Sequence, residues 1–411
     1  MKGVFDLRTE TIEIIKSTVP VLEQHGENIT TRFYEMMFED HPELLNIFNH
    51  ANQKQGRQQK ALAGSIYAAA QHIDQLEKIL PVVKQIAHKH RSLGVKAEHY
   101  PIVGKYLLLA IKDVLGDAAT EEILNAWAEA YQEIAQVFIQ VEQEMYAEAE
   151  QSPGGWKEFR RFIVDRIVQE SAVISSYYLV PEDKKELASF QPGQYVTVKF
   201  PIPGESHTHL RQYSLSDSPS KPYYRISVKK ETSNNETPQG IVSNAIHAYL
   251  QEGDLIELTA PAGDFVLNLQ SEKPIVFVAG GVGLTPLVSM LNTVVEAQPT
   301  RQVTFIQAAQ NSELHAMKEQ VKQLSNQHGQ LRTYTIYDQP TLADQEQQNY
   351  DAAGLIDAAW LRKVIDDTDA EFYFCGPVPF MRHIYAILKQ WEIPASQIHY
   401  EFFGPAAAIE G

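Results

Sequence analysis

The chain has 411 residues, 44% of them hydrophobic, which is enough for two or three domains each with its own core. Its 35 Lys and Arg stand against 52 Asp and Glu, and the resulting net charge of -17 repels nucleic-acid backbones and anionic lipid surfaces. A single cysteine, Cys375, excludes an intramolecular disulfide and any cluster held by four thiolates, and suits a reducing cytoplasm.

The first stretch, MKGVFDLRTETIEIIK, carries acidic residues where a signal peptide needs an unbroken apolar run. No later apolar run approaches the ~18 residues of a membrane span, so a soluble, unprocessed, cytoplasmic protein is expected. From residue 7 to about 149 apolar residues recur at helical spacing, as in Ile66, Ile73, Leu76 and Ile79, or Ile134, Val137, Phe138, Val141 and Met145. This part is predicted to be all-helical, over residues 1–149. Residues 150–156, with Ser152, Pro153, Gly154 and Gly155, read as a linker. Between 157 and 268 the period changes to two, in RFIVDRIVQES, QYVTVKF, YRISVKKE and DLIELTAP, which predicts a small antiparallel barrel. From 269 to 411 buried strands (PIVFVAG, QVTFIQAA, EFYFCG) alternate with helical stretches (LVSMLNTVVEA, LHAMKEQVKQL, FMRHIYAILKQW), the pattern of a doubly wound parallel sheet.

Two segments carry chemistry in the C-terminal two-thirds. The strand PIVFVAG runs into a glycine-rich turn that opens a helix, and backbone N–H groups at such a turn cradle a pyrophosphate. Taken alone, a turn of this kind is as often built only for close packing. Arg211-Gln212-Tyr213-Ser214-Leu215, preceded by Pro192-Gly193-Gln194-Tyr195, offers a cation for a phosphate, a flat ring for stacking and a hydroxyl for a ring nitrogen, which are the needs of a flavin. Alone, such a string is usually an ordinary strand. In the helical part, His88 and His90 are two residues apart and face different ways, so at most one can enter a pocket. Tyr34 with Phe33, Phe48 with Ile47, and Gln58 four residues before Leu62 place polar groups among aromatics, which is costly without a partner such as dioxygen. Aromatics at helical spacing most often simply fill a core.

The order of the motifs decides between these readings. Arg-Gln-Tyr-Ser, then Gly-Gly-Val-Gly-Leu-Thr-Pro, then Phe374-Cys375-Gly376-Pro377, then Glu401-Phe402-Phe403-Gly404-Pro405, resembles the ferredoxin-NADP reductase superfamily. That resemblance implies FAD held by Tyr195, Arg211, Gln212, Tyr213, Ser214, Val242, Ser243, Glu401, Phe402, Phe403, Gly404 and Pro405, with Phe403 covering the ring. It also implies NAD(P)H held by Gly281, Val282, Gly283, Leu284, Thr285, Pro286, Cys375, Gly376 and Pro377. A 2'-phosphate wants Arg or Lys after the second strand of the nucleotide domain, and Ala309-Gln310-Asn311-Ser312-Glu313 offers neither, which favours NADH.

Phe33-Tyr34, Met37-Phe38, His41-Pro42-Glu43-Leu44, Ile47-Phe48, Asn52-Gln53, Gln58 with Leu62, Ile86-Ala87-His88-Lys89-His90, Tyr100-Pro101-Ile102-Val103-Gly104 and Ala126-Trp127 resemble, together and in order, the globin domain of bacterial flavohaemoglobins. With the reductase part the likeness spans nearly the whole chain. It implies an all-α globin domain, an antiparallel β-barrel FAD domain and an α/β NAD(P) domain in a monomer that uses haem b, FAD and NAD(P)H as a nitric oxide dioxygenase, with dioxygen and nitric oxide as substrates. By resemblance His90 is the proximal ligand of the haem iron, and Tyr34 and Gln58 are distal groups that bond dioxygen. Leu62 shapes the distal pocket, Phe48 lies against the haem face, and Tyr100 and Glu142 bond behind His90. Lys89 and Glu401 match positions where haem and flavin approach each other. Glu144, two residues after Glu142, is the competing acid, and only one of the two can reach His90. Phe402 stands where a cysteine is common in the family. An oxygen-sensing globin with its own reductase, and a general NADH-dependent reductase of flavins or ferric chelates, are the alternative functions.

Overall fold

The structure is a computed structural model and describes residues 7–48, 53, 55–233, 239–404 and 409. Six α-helices, α1 (Thr9–Ser17), α2 (Val19–Asp40), α3 (Arg57–Gln71), α4 (Leu80–Leu93), α5 (Tyr100–Leu115) and α6 (Glu121–Gln151), pack around one apolar core that includes Ile29, Phe33, Met37, Tyr106, Ala110 and Trp127. Thr120 caps α6 by accepting from the Ile123 N–H, and α6 continues through Gln151, into the expected linker. Gly154 follows in left-handed backbone, and a Cβ there would lie 2.4 Å from the Leu187 carbonyl carbon, so the chain crosses the next domain at a distance only glycine permits.

The second unit is a six-stranded antiparallel sheet of β1 (Phe159–Gln169), β2 (Ile174–Pro181), β3 (Tyr195–Phe200), β4 (His209–Ser214), β5 (Tyr224–Lys229) and β6 (Leu255–Thr259), in the order β4-β3-β6-β1-β2-β5. An antiparallel bridge between Leu215 and Ile226 joins its two edges, which makes the barrel. Strand β2 escapes the period-two reading because SSYYLV is buried on both faces and does not alternate. Helix α7 (Ile241–Tyr249) closes one end with Val242 and Ile246 in the barrel core.

The third unit is a parallel sheet of β7 (Ile275–Gly280), β8 (Val303–Ala309), β9 (Leu331–Tyr337), β10 (Ala352–Ala353), β11 (Glu371–Cys375) and β12 (Ile398–Glu401), in the order β10-β9-β8-β7-β11-β12. Helices α8 (Leu284–Ala297), α9 (Lys318–Gln327), α10 (Leu342–Gln347), α11 (Ala358–Val364) and α12 (Val378–Gln390) accompany it, and its two faces carry separate apolar clusters. The stretch LHAM, expected to begin α9, is not α-helical. Met317 sits in left-handed backbone at φ 57° and His315 bonds the Tyr337 hydroxyl instead, so the helix starts at Lys318. Among the described residues no helix is long and apolar enough to cross a membrane.

Candidate functional site

Helix α4 reaches two sites at once. His90 points into the helical unit, where its Nδ1 lies 2.8 Å from Glu142 Oε1 on α6 and 3.3 Å from the Tyr100 hydroxyl at the start of α5. Tyr100 donates to the same Glu142 oxygen at 2.6 Å, and Tyr131 on α6 donates to the Tyr100 carbonyl at 2.7 Å. Burial, then the neighbouring Glu142 charge, drives the Tyr100 hydroxyl far above its ordinary range, so it stays a donor. Glu142 is 2% exposed, while Glu144 bonds Gln140 on the outer face; helical spacing alone separates the two acids. A carboxylate acceptor at Nδ1 fixes the imidazole proton there and leaves Nε2 with its lone pair, the ring atom an iron takes. Phe138 packs against both His90 and Tyr100.

Tyr34 lies elsewhere in the same core, 6% exposed, with its ring 4.7 Å from Phe33, 5.6 Å from Phe38 and 5.8 Å from Phe48. Burial raises its pKa above the ordinary tyrosine value, against the pull of the Gln58 and Gln53 amides beside the hydroxyl. Leu62 packs on this cluster. A phenol and an amide side by side in an apolar pocket form a polar end for a small ligand. The single open imidazole nitrogen, the aromatic walls and this polar end fit a haem.

Turning outward, α4 meets the barrel. Lys89 Nζ donates to the Gly404 carbonyl at 2.8 Å, Arg91 donates to the carbonyls of Ala260 and Pro261, and Gln212 Nε2 donates to Ser92 Oγ at 2.7 Å. Thr208 N–H donates to Asn46 Oδ1 at 2.9 Å, a further tie to the helical unit. Burial lowers the pKa of Lys89, opposed by Glu401 and Asp264. The same three groups set Glu401, whose pKa burial pushes up to about 8, with Lys89 lowering and Asp264 raising it; its Oε2 is buried and meets no partner among the described residues. A cleft of about 200 Å³ opens here between Gln85, Asp264, Phe265, His399, Tyr400 and Glu401.

Strands β3 and β4 place Tyr195 opposite Ser214, Val196 opposite Tyr213 and Val198 opposite Arg211. Alternation turns Gln212 away from Arg211 and Tyr213, and its amide is taken by Ser92. Burial lowers the pKa of Arg211 and raises those of Tyr195 and Tyr213. Helix α7 begins at Gly240, which has no side chain to cap it and where a Cβ would meet Ser243 Oγ at 2.6 Å. Its first N–H groups are open to an anion. Val242 is sealed into the barrel core, Ser243 Oγ bonds the Gly240 carbonyl, and Phe402 packs edge-on to Tyr400. Phe403 is 48% exposed, and Pro405 lies outside the described residues.

In the parallel sheet the strand order reverses between β7 and β11, the place where such sheets bind nucleotides. There Gly281 takes φ 54° with open space around it, while a Cβ on Gly283 would lie 2.2 Å from the Cys375 carbonyl oxygen and one on Gly376 3.1 Å from Gly280 Cα. The two segments therefore approach so closely that neither glycine could carry a side chain, with the Phe380 ring packed against Gly280 and Gly376. Thr285 Oγ1 donates to the Val282 carbonyl, and Leu284 and Pro286 are buried at the helix start. Cys375 is fully buried, its Sγ 3.3 Å from the Glu401 carbonyl, and burial holds its thiol well above the ordinary value. Sequence reasoning missed Arg91, Ser92 and Asp264, which join segments far apart in the chain and carry no local signal.

Comparison with known proteins identifies three domain families along the chain. The globin family model matches residues 31–138, that of the oxidoreductase FAD-binding domain residues 162–267, and that of the oxidoreductase NAD-binding domain residues 277–385. The flavohemoprotein of Bacillus cereus (strain ATCC 10987 / NRS 248) is 59% identical over 404 residues, covering 98% of this chain and 100% of its own. A crystal structure of flavohemoglobin from Malassezia yamatoensis, with bound FAD and heme, superposes with a TM-score of 0.85 at 27% identity, over 97% of this chain and 100% of that one. The FAD/NAD-binding domain of nitric oxide dioxygenase from Vibrio cholerae O1 biovar El Tor matches 60% of this chain and 99% of its own, at 34% identity and a TM-score of 0.55.

Proposed function

The chain belongs to the flavohemoprotein family, and from that premise we propose that it is a nitric oxide dioxygenase that spends NADH to turn nitric oxide and dioxygen into nitrate. Haem and FAD, when bound, supply the chemistry: the flavin divides the electron pair of NADH into single electrons and the iron delivers them to dioxygen. The chain's residues do the rest. His90 would hold the iron through Nε2, with Glu142 accepting from Nδ1–H and from the Tyr100 hydroxyl. This arrangement makes the imidazole a stronger electron donor, which oxygen chemistry needs and reversible carriage does not. It is the observation that carries the reading.

Tyr34 and Gln58 would donate to the partial negative charge that grows on the substrate oxygen, in a pocket from which aromatic rings exclude water. Arg211, Tyr213, Ser214 and the open start of α7 would hold the FAD, with Phe403 covering its ring near where hydride passes and Glu401 beside Lys89 on the side that faces the haem. Gly281, Gly283 and Gly376 would let the pyrophosphate of the nucleotide approach the backbone. NADH is the donor this turn favours: Glu313 is exposed after β8, and the buried carboxylate of Asp344 accepts from the Ser312 N–H at 3.3 Å, so two acids border the place of a 2'-phosphate.

Adding dioxygen to nitric oxide to give nitrate consumes one electron, so NADH should support about two nitrates each. Nitrate formed per NADH oxidised, under air with nitric oxide supplied, tests this. A ratio near zero, with hydrogen peroxide or superoxide accounting for the NADH, would reject the dioxygenase reading. His90→Ala should abolish nitric oxide consumption while NADH still bleaches the FAD band.

A further inference from the structure

Helix α8 is apolar and buried along nearly its whole length, yet Ser289, Asn292 and Glu296, spaced three and four apart, form one polar stripe. The stripe faces the segment that continues from the flavin strand β4. Ser289 Oγ donates to the Asp217 carbonyl at 2.7 Å, Asn292 Nδ2 donates to Asp217 Oδ1 at 2.8 Å, and Glu296 accepts from Ser220 Oγ at 3.0 Å and Lys221 Nζ at 2.8 Å. Arg225 on β5, 4% exposed, completes a ring. Its Nη1 lies 3.6 Å from Asp217 Oδ2 and donates to Gln320 Oε1 on α9 at 3.0 Å, its Nη2 donates to the Ser216 carbonyl, and Gln320 Nε2 returns to Asn292 Oδ1 at 3.1 Å. Every link between Asp217 or Arg225 and Ser289, Asn292 or Gln320 crosses from the barrel to the parallel-sheet domain.

We propose that Asp217, Arg225, Ser289, Asn292 and Gln320 are a positioning latch that fixes the distance over which hydride passes between the two nucleotides. This rests on the reading of the barrel as the FAD site and of the Gly281 turn as the NADH site. Asp217 comes three residues after Ser214, on the chain that would hold the flavin, and Ser289 and Asn292 follow the Gly281 turn, on the helix that would hold the nicotinamide nucleotide. Domains joined by a polar interface slide and hinge by default. An apolar contact tolerates a small slide, whereas here a slide would leave the buried Ser289 hydroxyl and Asn292 amide without their partners on Asp217, so the network admits one register. In the transfer the C–H bond at C4 of the dihydronicotinamide breaks with its electron pair as the N–H bond of the reduced flavin forms, one nucleotide being oxidised and the other reduced by two electrons. Rates of such steps fall by about a hundredfold for a misplacement of about 1 Å.

Two variants of the full, FAD- and haem-loaded chain test the latch. Asn292→Leu keeps the branched outline of the side chain and cuts its bond across the seam, and Asp217→Asn removes the charge. Stopped-flow reduction of FAD by NADH, and by NADH deuterated at the transferred position, should show hydride transfer slowed by about tenfold or more with a larger isotope effect. Transfer from dithionite-reduced flavin to haem should stay within about twofold. Hydrogen exchange, which needs no turnover, should speed up together in residues 215–221 and 284–297 and not in β1 or β8. Should Asp217→Asn fail to load FAD, Asn292→Leu alone decides. Hydride transfer within about twofold of the unaltered chain, or unchanged exchange in the two segments, overturns the proposal. Failure of the unaltered chain to bleach its FAD with NADH would instead reject the reading of the two nucleotide sites.

Discussion

At the scale of the residue, the acid behind His90 and the acid at the seam lend themselves to opposite tests. Glu142→Gln keeps the shape of the side chain and removes the charge that accepts from His90 and Tyr100. If His90 holds the iron as proposed, its imidazole then donates less to the metal, so the ferric/ferrous potential should rise and nitrate formation fall by about tenfold or more, while FAD reduction by NADH is unchanged. Redox titration followed in the Soret band checks the first and stopped-flow the second. Glu401 shows itself through pH. Its folded pKa, pushed up to about 8 by burial, lies above the ordinary glutamate value of 4.5, so the folded chain holds this proton more tightly than the unfolded one. The stability it contributes is complete below about pH 4.5 and is lost as pH rises towards 8. In Glu401→Gln that slope should vanish. Melting temperatures of the two proteins, taken in parallel from pH 5 to 9, should lie close near pH 5, where both side chains are neutral, separate with rising pH as the unaltered chain falls, and run parallel above about 8; a constant difference across the range would show that the carboxyl titrates normally.

At the scale of the element, α4 does most of the coupling. Its inward side brings His90 to Glu142, and its outward side brings Lys89, Arg91 and Ser92 to the barrel and to the last strand. Arg91→Ala should therefore slow electron transfer from reduced flavin to haem by about tenfold, since its buried guanidinium fixes Ala260 and Pro261 against the helix, and should leave hydride transfer untouched. Dithionite-initiated stopped flow separates the two steps. On the inward side, helical periodicity says only that His88 and His90, and likewise Glu142 and Glu144, face different ways; the choice of His90 and Glu142 came from the resemblance. The outward side was not. Ser92 meets Gln212, and Lys89 meets Gly404, only after three domains have folded, and no local pattern encodes a contact across so much chain. Strand β2 was missed for a related reason: buried on both faces, it has no alternation to read. The glycine-rich turn was legible as a phosphate cradle, but its contact with Cys375 and Gly376 depends on β7 and β11 being neighbours in the sheet.

At the scale of the whole molecule, charge divides the proposed substrates into two kinds. The chain carries a net charge of -17, and NADH brings about two negative charges of its own on the pyrophosphate, so at low ionic strength the long-range field opposes their encounter. Dioxygen and nitric oxide are neutral and feel none of it. Within the proposed nucleotide site, N–H groups at the Gly281 turn would still attract the pyrophosphate, but over a few ångströms, whereas the repulsion extends over a Debye length, about 10 Å at 0.1 M salt and about 30 Å at 0.01 M. Raising ionic strength from about 0.01 to 0.15 M should therefore increase the second-order rate of NADH binding and lower its KM by several-fold, while the rates of dioxygen and nitric oxide binding to the reduced protein stay level. Steady-state kinetics over a sodium chloride series, with flash photolysis for the gases, measures both. A KM for NADH that rises with salt would mean that a local positive potential at the nucleotide site outweighs the field of the whole chain, and would place the deciding charges among the few cations near β8 and α12 rather than in the overall balance.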